Sequence, residues 1–500
     1  MSSSTTAHNG PIDIGARLEP IIDDFLIAEL TDPLELRLHP PVKREVVLQT
    51  DAPCEGNACL YRTVFQDRDG RFRMYYGAWH YVMGGGRINY PHPYYVCYAE
   101  STDGKRWSKP DLGLVEFEGN RNNNIVLAPD SFPGIDISAG DTAVFPDTNP
   151  ACQEGSEYKA IVPAKSPRAL YALRSPDGFN FSFMRRQNED IPDPVITEGY
   201  FDSLNLAFWD EYRGEYRAYF RDFQGGAPHG VRGIKTATSA DFLNWSQPEW
   251  LDYGNSPEQP LYTNQIRPYP RAPHIFFGFP MRYIDRGWVP QTDNLPGLEY
   301  RRERSAAHPR YGSVVTDGLF MSSRDGLNFK RWGEAYIRPG PNVVDSWVYS
   351  DNSIAWGLIE TEADSPGAPP ELSLYVVEGY WTGSSMNVRR YTTRIDGFVS
   401  LHAPLSGGSC LTKPLVFSGR RLVLNFATSA AGSLRVEIQD HEGNPVPGFS
   451  LDDSDEIFGD AIDRTANWAG GNDLSALSGR PVRIRFVLKD ADLYSIQFRE

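Results

Sequence analysis

The stretch VCYAESTDGKRW, residues 96–107, reads as a strand that runs into a Ser-x-Asp-Gly turn and closes on an aromatic residue, Trp107. Asp-Gly marks a tight turn: glycine takes a positive φ, and aspartate bonds backbone amides two residues on. The serine can bond the same turn, and the aromatic can pack beneath it and tie it to the next sheet. The same word returns along the chain. ALRSPDGFNF ends at Phe181, ATSADFLNW at Trp245 with Phe242 in the glycine slot, and LFMSSRDGLNF at Phe329. A fifth copy, RYTTRIDGFVSL, carries Arg394 in the serine slot. The five aspartates (Asp103, Asp177, Asp241, Asp325 and Asp396) recur at roughly 60–85 residues, the length of a propeller blade with loop insertions. They read as structural, not catalytic.

A second repeat stands ahead of each turn: an apolar strand, a polar turn, then a tyrosine-rich strand. It occurs as LYRTVFQDRDGRFRMYYGAW at 60–79, TAVFPDTNPACQEGSEYKAIV at 142–162 and NLAFWDEYRGEYRAYFRDF at 205–223. Looser copies are HIFFGFPMRY at 274–283 and SIAWGLIE with LSLYVVEGYW at 353–381. Four strands per unit in five units predict an all-β chain with a five-bladed propeller over 41–404. A large two-sheet sandwich would not place one turn at a fixed station in five units. Residues 1–40 form a lead-in, in which EPIIDDFLIAEL is a candidate strand for closing the ring. After the small, polar linker HAPLSGGSC, the runs RRLVLNF, SLRVEIQD, VRIRFVL and DLYSIQF alternate with period two. They predict a C-terminal β-sandwich over 405–500. No long helix is expected.

Composition agrees. Of 500 residues, 13% are aromatic, and Gly (45) and Pro (39) are plentiful, which favours short strands and turns over long helices. The net charge of −16, with no basic cluster, argues against nucleic acid and anionic membranes as partners. Five cysteines without paired zinc spacing argue against a disulfide framework and a structural metal. No metal or cofactor is expected. MSSSTTAHNG lacks an apolar h-region, so a cytoplasmic location is expected. No P-loop, HExxH, G-x-S-x-G elbow or Rossmann fingerprint is present.

In a propeller, the loops leading into the inner strands crowd one mouth of the central channel, so the residues before each inner strand are the functional candidates. Blade one offers Glu55 and Asn57, and blade two Asp141. Blade three offers Glu198, Tyr200 and Asp202. Blade four offers Asn264, Gln265, Arg267 and Arg271, and blade five Asp345, Trp347 and Asp351. Carboxylates recur at one station, and glycoside hydrolysis needs two: one to protonate the leaving oxygen, one as base or nucleophile. A third nearby raises a neighbour's pKa by like-charge repulsion. Trp79, His80, Trp347 and tyrosines offer stacking faces and polar contacts for a sugar, and Arg221, Arg267 and Arg271 offer cations. Each acid also has an ordinary reading as a turn former. His92 and His229 sit in Gly/Pro-rich loops at the mouth.

AESTDGKRW, KPDLGLVEFEG and NNNIVLAP, with the repeated turns, resemble the five-bladed propeller glycoside hydrolases of the fructofuranosidase and arabinanase group, families 32, 43 and 68, with family 130 phosphorylases nearby. The resemblance spans roughly residues 40–500 and is one of architecture, in an uncommon branch. It implies a base or nucleophile on blade one, a pKa-tuning aspartate on blade two and an acid on blade three. Here those stations hold Glu55, Asp141 and Asp202, with Glu198 as reserve acid. Blade one has Glu rather than Asp, and the W-x-N-D-P-N-G signature of invertases is missing. The resemblance implies a hydrolase acting on an exposed furanoside or pyranoside end. The alternatives are a glycoside phosphorylase, using Arg221, Arg267 and Arg271 for phosphate, and a non-catalytic carbohydrate-binding propeller. A homo-oligomer is open, since no sequence feature demands one.

Overall fold

The computed structural model describes residues 10–185 and 192–500. The chain forms two compact units: Pro41–Pro366 with Pro370–Thr392, and residues up to Pro40 with Gly367–Pro369 and Thr393–Glu500.

The first unit is a five-bladed propeller of four-stranded antiparallel sheets. Blade one is Leu60–Gln66, Phe72–Ala78, Tyr95–Ser101 and Ile125–Leu127; blade two is Ala143–Pro146, Tyr158–Lys165, Arg168–Ser175 and Ser182–Phe183. Blade three is Leu206–Asp210, Glu215–Gln224, Val231–Ser239 and Glu249–Trp250; blade four is Arg267–Tyr269, Ala272–Gly278, Met321–Ser323 and Phe329–Arg331. Blade five takes Ile359–Thr361, Glu371–Glu378 and Asn387–Arg394 from late in the chain, and its fourth strand from early in it: Val42–Gln49 pairs with Asn387–Arg394. Joining the two ends of the unit in one sheet closes the ring and leaves no long unpaired edge. The expected closing segment, EPIIDDFLIAEL, is elsewhere: Glu19–Pro20 and Ile27–Leu30 pair within the second unit.

Four of the turns share one geometry. In each, the serine Oγ accepts the amide of the glycine-slot residue at 2.9 Å, as in Gly104 to Ser101 and Phe242 to Ser239. The aspartate Oδ1 accepts the next two amides at 2.7–2.9 Å. Against the upward push of desolvation, these bonds hold Asp103 and Asp177 down at about 2. The turns also tie blade to blade. Tyr75 of blade one donates to the Gly178 carbonyl of blade two at 3.1 Å, and Tyr219 of blade three to Gly326 of blade four at 2.8 Å. Tyr375 of blade five donates to Gly104 of blade one. In blade two Ile161 stands where a tyrosine would, three residues after Tyr158 as Tyr219 is after Tyr216. The turn of blade three has Phe242 instead of glycine, at φ +68 and fully buried against Phe145 and Tyr216, in the same core cluster as Ile161. The fifth copy departs. Asp396 is buried and accepts the Ser495 hydroxyl at 2.9 Å, so it serves the second unit.

An insertion in blade four carries the helix Leu298–Ala307 and the short turn Arg310–Ser313, which the sequence reading did not expect. Its buried residues are Arg301 and Arg304, so no apolar stripe marks it. Among the described residues no helix is long and apolar enough to cross a membrane.

The second unit is one ten-stranded sheet. The four alternating runs are two long strands, Arg421–Asp440 and Val482–Arg499, paired along their length with a register break between Thr428 and Ser433. Leu422, Leu424 and Phe426 before the break and Leu434, Val436 and Ile438 after it share one core, so the sheet folds over on itself in the manner of a sandwich. The lead-in supplies Ile12–Gly15, Glu19–Pro20, Ile27–Leu30 and Glu35–Leu38 to this sheet.

Candidate active site at the channel mouth

The first strand of each blade lies innermost. Neighbouring inner strands touch at their starts, as where Asn205 donates its amide to the Asp141 carbonyl at 3.4 Å. The residues leading into these strands meet at one mouth of the channel.

Tyr61 is the blade-one residue there. It has φ +56, at a register irregularity between Leu60 and Thr63. Such a bulge re-aims a side chain, and left-handed backbone at a bulky residue costs energy that the surrounding fold must offset. Tyr61 and Tyr349 each donate to the Tyr262 hydroxyl at 3.3 Å, so blades one, four and five contribute three converging phenols. Burial raises the pKa of Tyr61 and of Tyr262, and for Tyr61 the charge of Asp141 adds to it. Gln265, Asp345, Trp347, Ser350, Asn352 and Trp381 also take positive φ, which concentrates backbone strain around this mouth.

Asp141 ends a one-turn 3₁₀ segment, Ala139–Asp141. Desolvation pushes its carboxyl up to about 7, although Ser138 donates to it at 2.6 Å and Arg221 lies near. Gly140 beside it packs under the Trp79 indole, which also contacts Tyr61 and Tyr94. Arg221, on the second strand of blade three, is only 1% exposed and ion-pairs with Asp202, whose side chain is 53% exposed. Arg221 is thus ion-paired to the carboxyl open to solvent and acts only electrostatically on the desolvated one. Tyr200 stacks beneath Arg168 at 4.1 Å and meets Phe223 edge-on, on the Asp202 side of the mouth.

The other sequence candidates have different places. Glu55 is fully buried within blade one. It accepts Tyr76 Oη, the Ala52 amide at 2.9 Å and Lys109 Nζ at 2.8 Å. Its electrostatic neighbours are Cys59, Tyr76 and Lys109, whereas those of Asp141 are Arg221 and Lys165. A residue before an inner strand can point into the blade as well as into the channel, and Glu55 points inward. Glu198 is exposed and accepts Gln247 at 2.6 Å. His80 Nδ1 accepts the Asn57 amide at 3.3 Å, and burial lowers its pKa. Gln265 donates to the Ile354 carbonyl at 2.8 Å, and Trp347 to that of Gly340 at 2.8 Å. Asp351 is buried, accepts the Tyr380 amide at 2.8 Å, and is raised well above the carboxylate range by desolvation.

Arg267 and Arg271 are not at this mouth. Arg271 is on the hairpin turn between Tyr269 and Ala272. Arg267 lines a cavity of about 330 Å³ at the opposite end, with Phe65, Phe145, Phe208 and Trp356. Burial lowers its pKa to about 10.

The sequence reading missed Tyr61, Tyr262, Tyr349, Arg232, Arg304 and Arg310. Arg232 lies 4.2 Å from the Tyr283 ring centroid and 5.8 Å from that of Tyr262. Arg304 is 4.2 Å from Tyr300 and 5.2 Å from Trp381, and burial lowers it to about 10. The blade-four insertion packs its Tyr311 against Tyr349 and Trp381, while Gly86 of the blade-one hairpin Val82–Asn89 faces Ala306. The insertion thus spans from blade four to blades five and one across one side of the mouth. Among the described residues, no group of three or more His, Cys, Asp or Glu is placed to hold a metal ion, and the five cysteines are free.

No protein-family model matches the chain, and no curated protein does. Among solved structures, the chain is similar to an endo-arabinase of Bacteroides thetaiotaomicron, at 9% identity over 70% of this chain and 98% of that one, with a TM-score of 0.40. It is similar to a family 32 β-fructofuranosidase of Bombyx mori, at 12% identity over 93% and 94%, with a TM-score of 0.34. It is also similar to an N-acetylgalactosamine deacetylase of F. plautii, at 12% identity over 91% and 95%, with a TM-score of 0.36. Likenesses this loose leave the chemistry to the side chains.

Proposed function

We propose that the propeller is a glycoside hydrolase, with Asp141 as general acid and Asp202 as base or nucleophile. The observation that carries the reading is that Arg221 acts on two carboxyls in opposite environments, ion-paired to Asp202 and electrostatically felt by Asp141. A desolvated carboxyl at about 7 keeps a proton to give at neutral pH. A solvent-facing carboxylate ion-paired to a guanidinium suits the ionised role. This reverses the roles that the family pattern implies for the two stations, and it removes Glu55 from the reaction.

In the step itself, Asp141 delivers its proton to the glycosidic oxygen as the bond to the anomeric carbon breaks. Asp202 either takes a proton from the attacking water or attacks the anomeric carbon itself. In the second case water then releases the sugar, with Asp141 as base. Trp79, Tyr61, Tyr262 and Tyr349 supply faces and hydroxyls for the sugar ring. The blade-four insertion covers one side of the mouth, which favours attack on a chain end over the middle of a polymer.

The test is a screen of nitrophenyl glycosides and oligosaccharides with the full chain, beside Asp141→Asn and Asp202→Asn. Turnover in the parent that falls at least about 10³-fold in both variants supports the reading. Full activity in either variant removes that residue, and no turnover on any glycoside overturns the hydrolase.

A further inference from the structure

The protein carries a net charge of −16, yet arginines gather on shared aromatic rings at the mouth of its channel. Arg221 and Arg232 lie over the same two rings, 5.0 and 5.2 Å from the Phe223 centroid and 5.1 and 5.8 Å from that of Tyr262. Arg232 also lies 4.2 Å from Tyr283, and Arg310 acts electrostatically on the same phenol. Asp285, an acid that acts on the same phenol, is engaged by the Gly287 amide and lies near the Ser313 hydroxyl. Among the described residues, neither Arg232 nor Arg310 has a carboxylate within ion-pair distance, and the Nε of each is buried without an acceptor. Arg221 and Arg232 repel one another.

The carboxyls at the mouth do not balance this charge. Asp202 is taken by Arg221, and Asp141 and Asp351 are desolvated. Placing like charges side by side in a protected site costs free energy unless a bound anion offsets it. A guanidinium offers paired, coplanar donors that match a carboxylate.

We propose that Arg232 and Arg310, both acting on Tyr283, form a carboxylate subsite at the mouth that holds Asp141 and Asp202, so that the sugar bound there is acidic, of the uronate class. This rests on the hydrolase reading: with water as the second reactant, the anion must belong to the glycoside. Tyr262 and Tyr349 would donate to the remaining oxygens.

The experiment compares uronate-containing oligosaccharides with the same material after reduction of each carboxyl to a primary alcohol, so that each pair differs only at that group. Release of sugar is measured with and without inorganic phosphate. Binding of glucuronate and galacturonate, against glucose and galactose, is measured by calorimetry. The expected result is turnover confined to the unreduced forms and independent of phosphate. Arg232→Gln and Arg310→Gln should each raise KM about 10–100-fold with little change in kcat, and Arg232→Lys should restore part of the loss. Equal turnover of reduced and unreduced forms overturns the carboxylate subsite while the hydrolase stands. Cleavage that requires phosphate overturns it too, by giving the arginines another anion. Uronate binding that is lost in Arg232→Gln, without turnover of anything, keeps the subsite and defeats the hydrolase. Neither binding nor turnover defeats both.

Discussion

Gly140 lies against the Trp79 indole so closely that a Cβ on it would stand 2.5 Å from Trp79 Cζ3. The contact sets the height of the next residue, Asp141, whose carboxyl is held by Ser138. The Gly77 face is equally tight, with the Gly140 carbonyl 2.4 Å from where a Cβ would be. Nothing here is the flexible end of a side chain, so an added methyl must move the backbone. Gly140→Ala is expected to lower turnover about 10–100-fold through displacement of Asp141, with a stability loss of about 1–3 kcal/mol from overpacking. Kinetics and urea unfolding of the purified variant check this. Unchanged kcat would show that Asp141 does not depend on this contact.

Asp141 also sets a pH dependence. Its carboxyl lies at about 7 in the fold against an ordinary 3.8, because burial penalises the charged form. Between about pH 4 and pH 7 the native state therefore binds more protons than the unfolded chain. Its favourable contribution is full below pH 4 and declines as pH rises through 7. Asp141→Asn is expected to remove this decline and to be the more stable protein at pH 8, by up to roughly 4 kcal/mol at about 1.4 kcal/mol per pKa unit. Turnover of the parent should fall above pH 7 as the acid loses its proton. Urea midpoints at pH 5 and pH 8 decide it, and equal pH slopes in parent and variant would refute the assignment.

These residues also show how far the sequence could be read. The Ser-x-Asp-Gly turns were legible because the bonds that make them lie within four residues, so the code is local. The closing strand Val42–Gln49 was not, because its partner Asn387–Arg394 is far away in sequence and VKREVVLQ looks like any strand. The inserted helix was hidden because its inward face is arginine. At the site, position before an inner strand singled out Asp141 and Asp202, and the need of a phosphate pocket for cations singled out Arg221. The same rule could not say that Glu55 turns into its blade, since that depends on Tyr76 and Lys109 waiting there. Tyr61 is aimed by a bulge that leaves no mark in the sequence.

The two carboxyl classes separate in a variant of Glu55. Lys109 bridges Glu55 to Asp51, and both partners of the buried oxygen pair are fixed. Glu55→Gln keeps the shape but removes the buried charge that accepts Tyr76, the Ala52 amide and Lys109, while Lys109 keeps Asp51; loss of such charge-assisted bonds costs about 1–3 kcal/mol. The expected outcome is a lower urea midpoint with kcat within tenfold of the parent. A fall of 10³ in kcat at unchanged stability would instead place Glu55 in the reaction and restore the blade-one role that the family pattern implies.

The turns carry the last prediction, because they join blades as well as end strands. A Cβ on Gly178, at φ +83, would stand 2.5 Å from Tyr75 Oη and 2.8 Å from Arg73 Nη1. Two separate costs follow: left-handed backbone, at about 1 kcal/mol for a non-glycine residue, and the collision with the neighbouring blade. Gly178→Ala should lose about 2–3 kcal/mol. Tyr75→Phe removes the hydroxyl that meets the methyl, so the double variant should be more stable than the sum of the single losses by about 1 kcal/mol. Phe242 already shows that the left-handed slot accepts a side chain on blade three, where the preceding blade has Ile161 in place of the tyrosine. Strict additivity in the cycle would mean that backbone strain alone accounts for the loss, and that the tyrosine does not tie blade one to blade two.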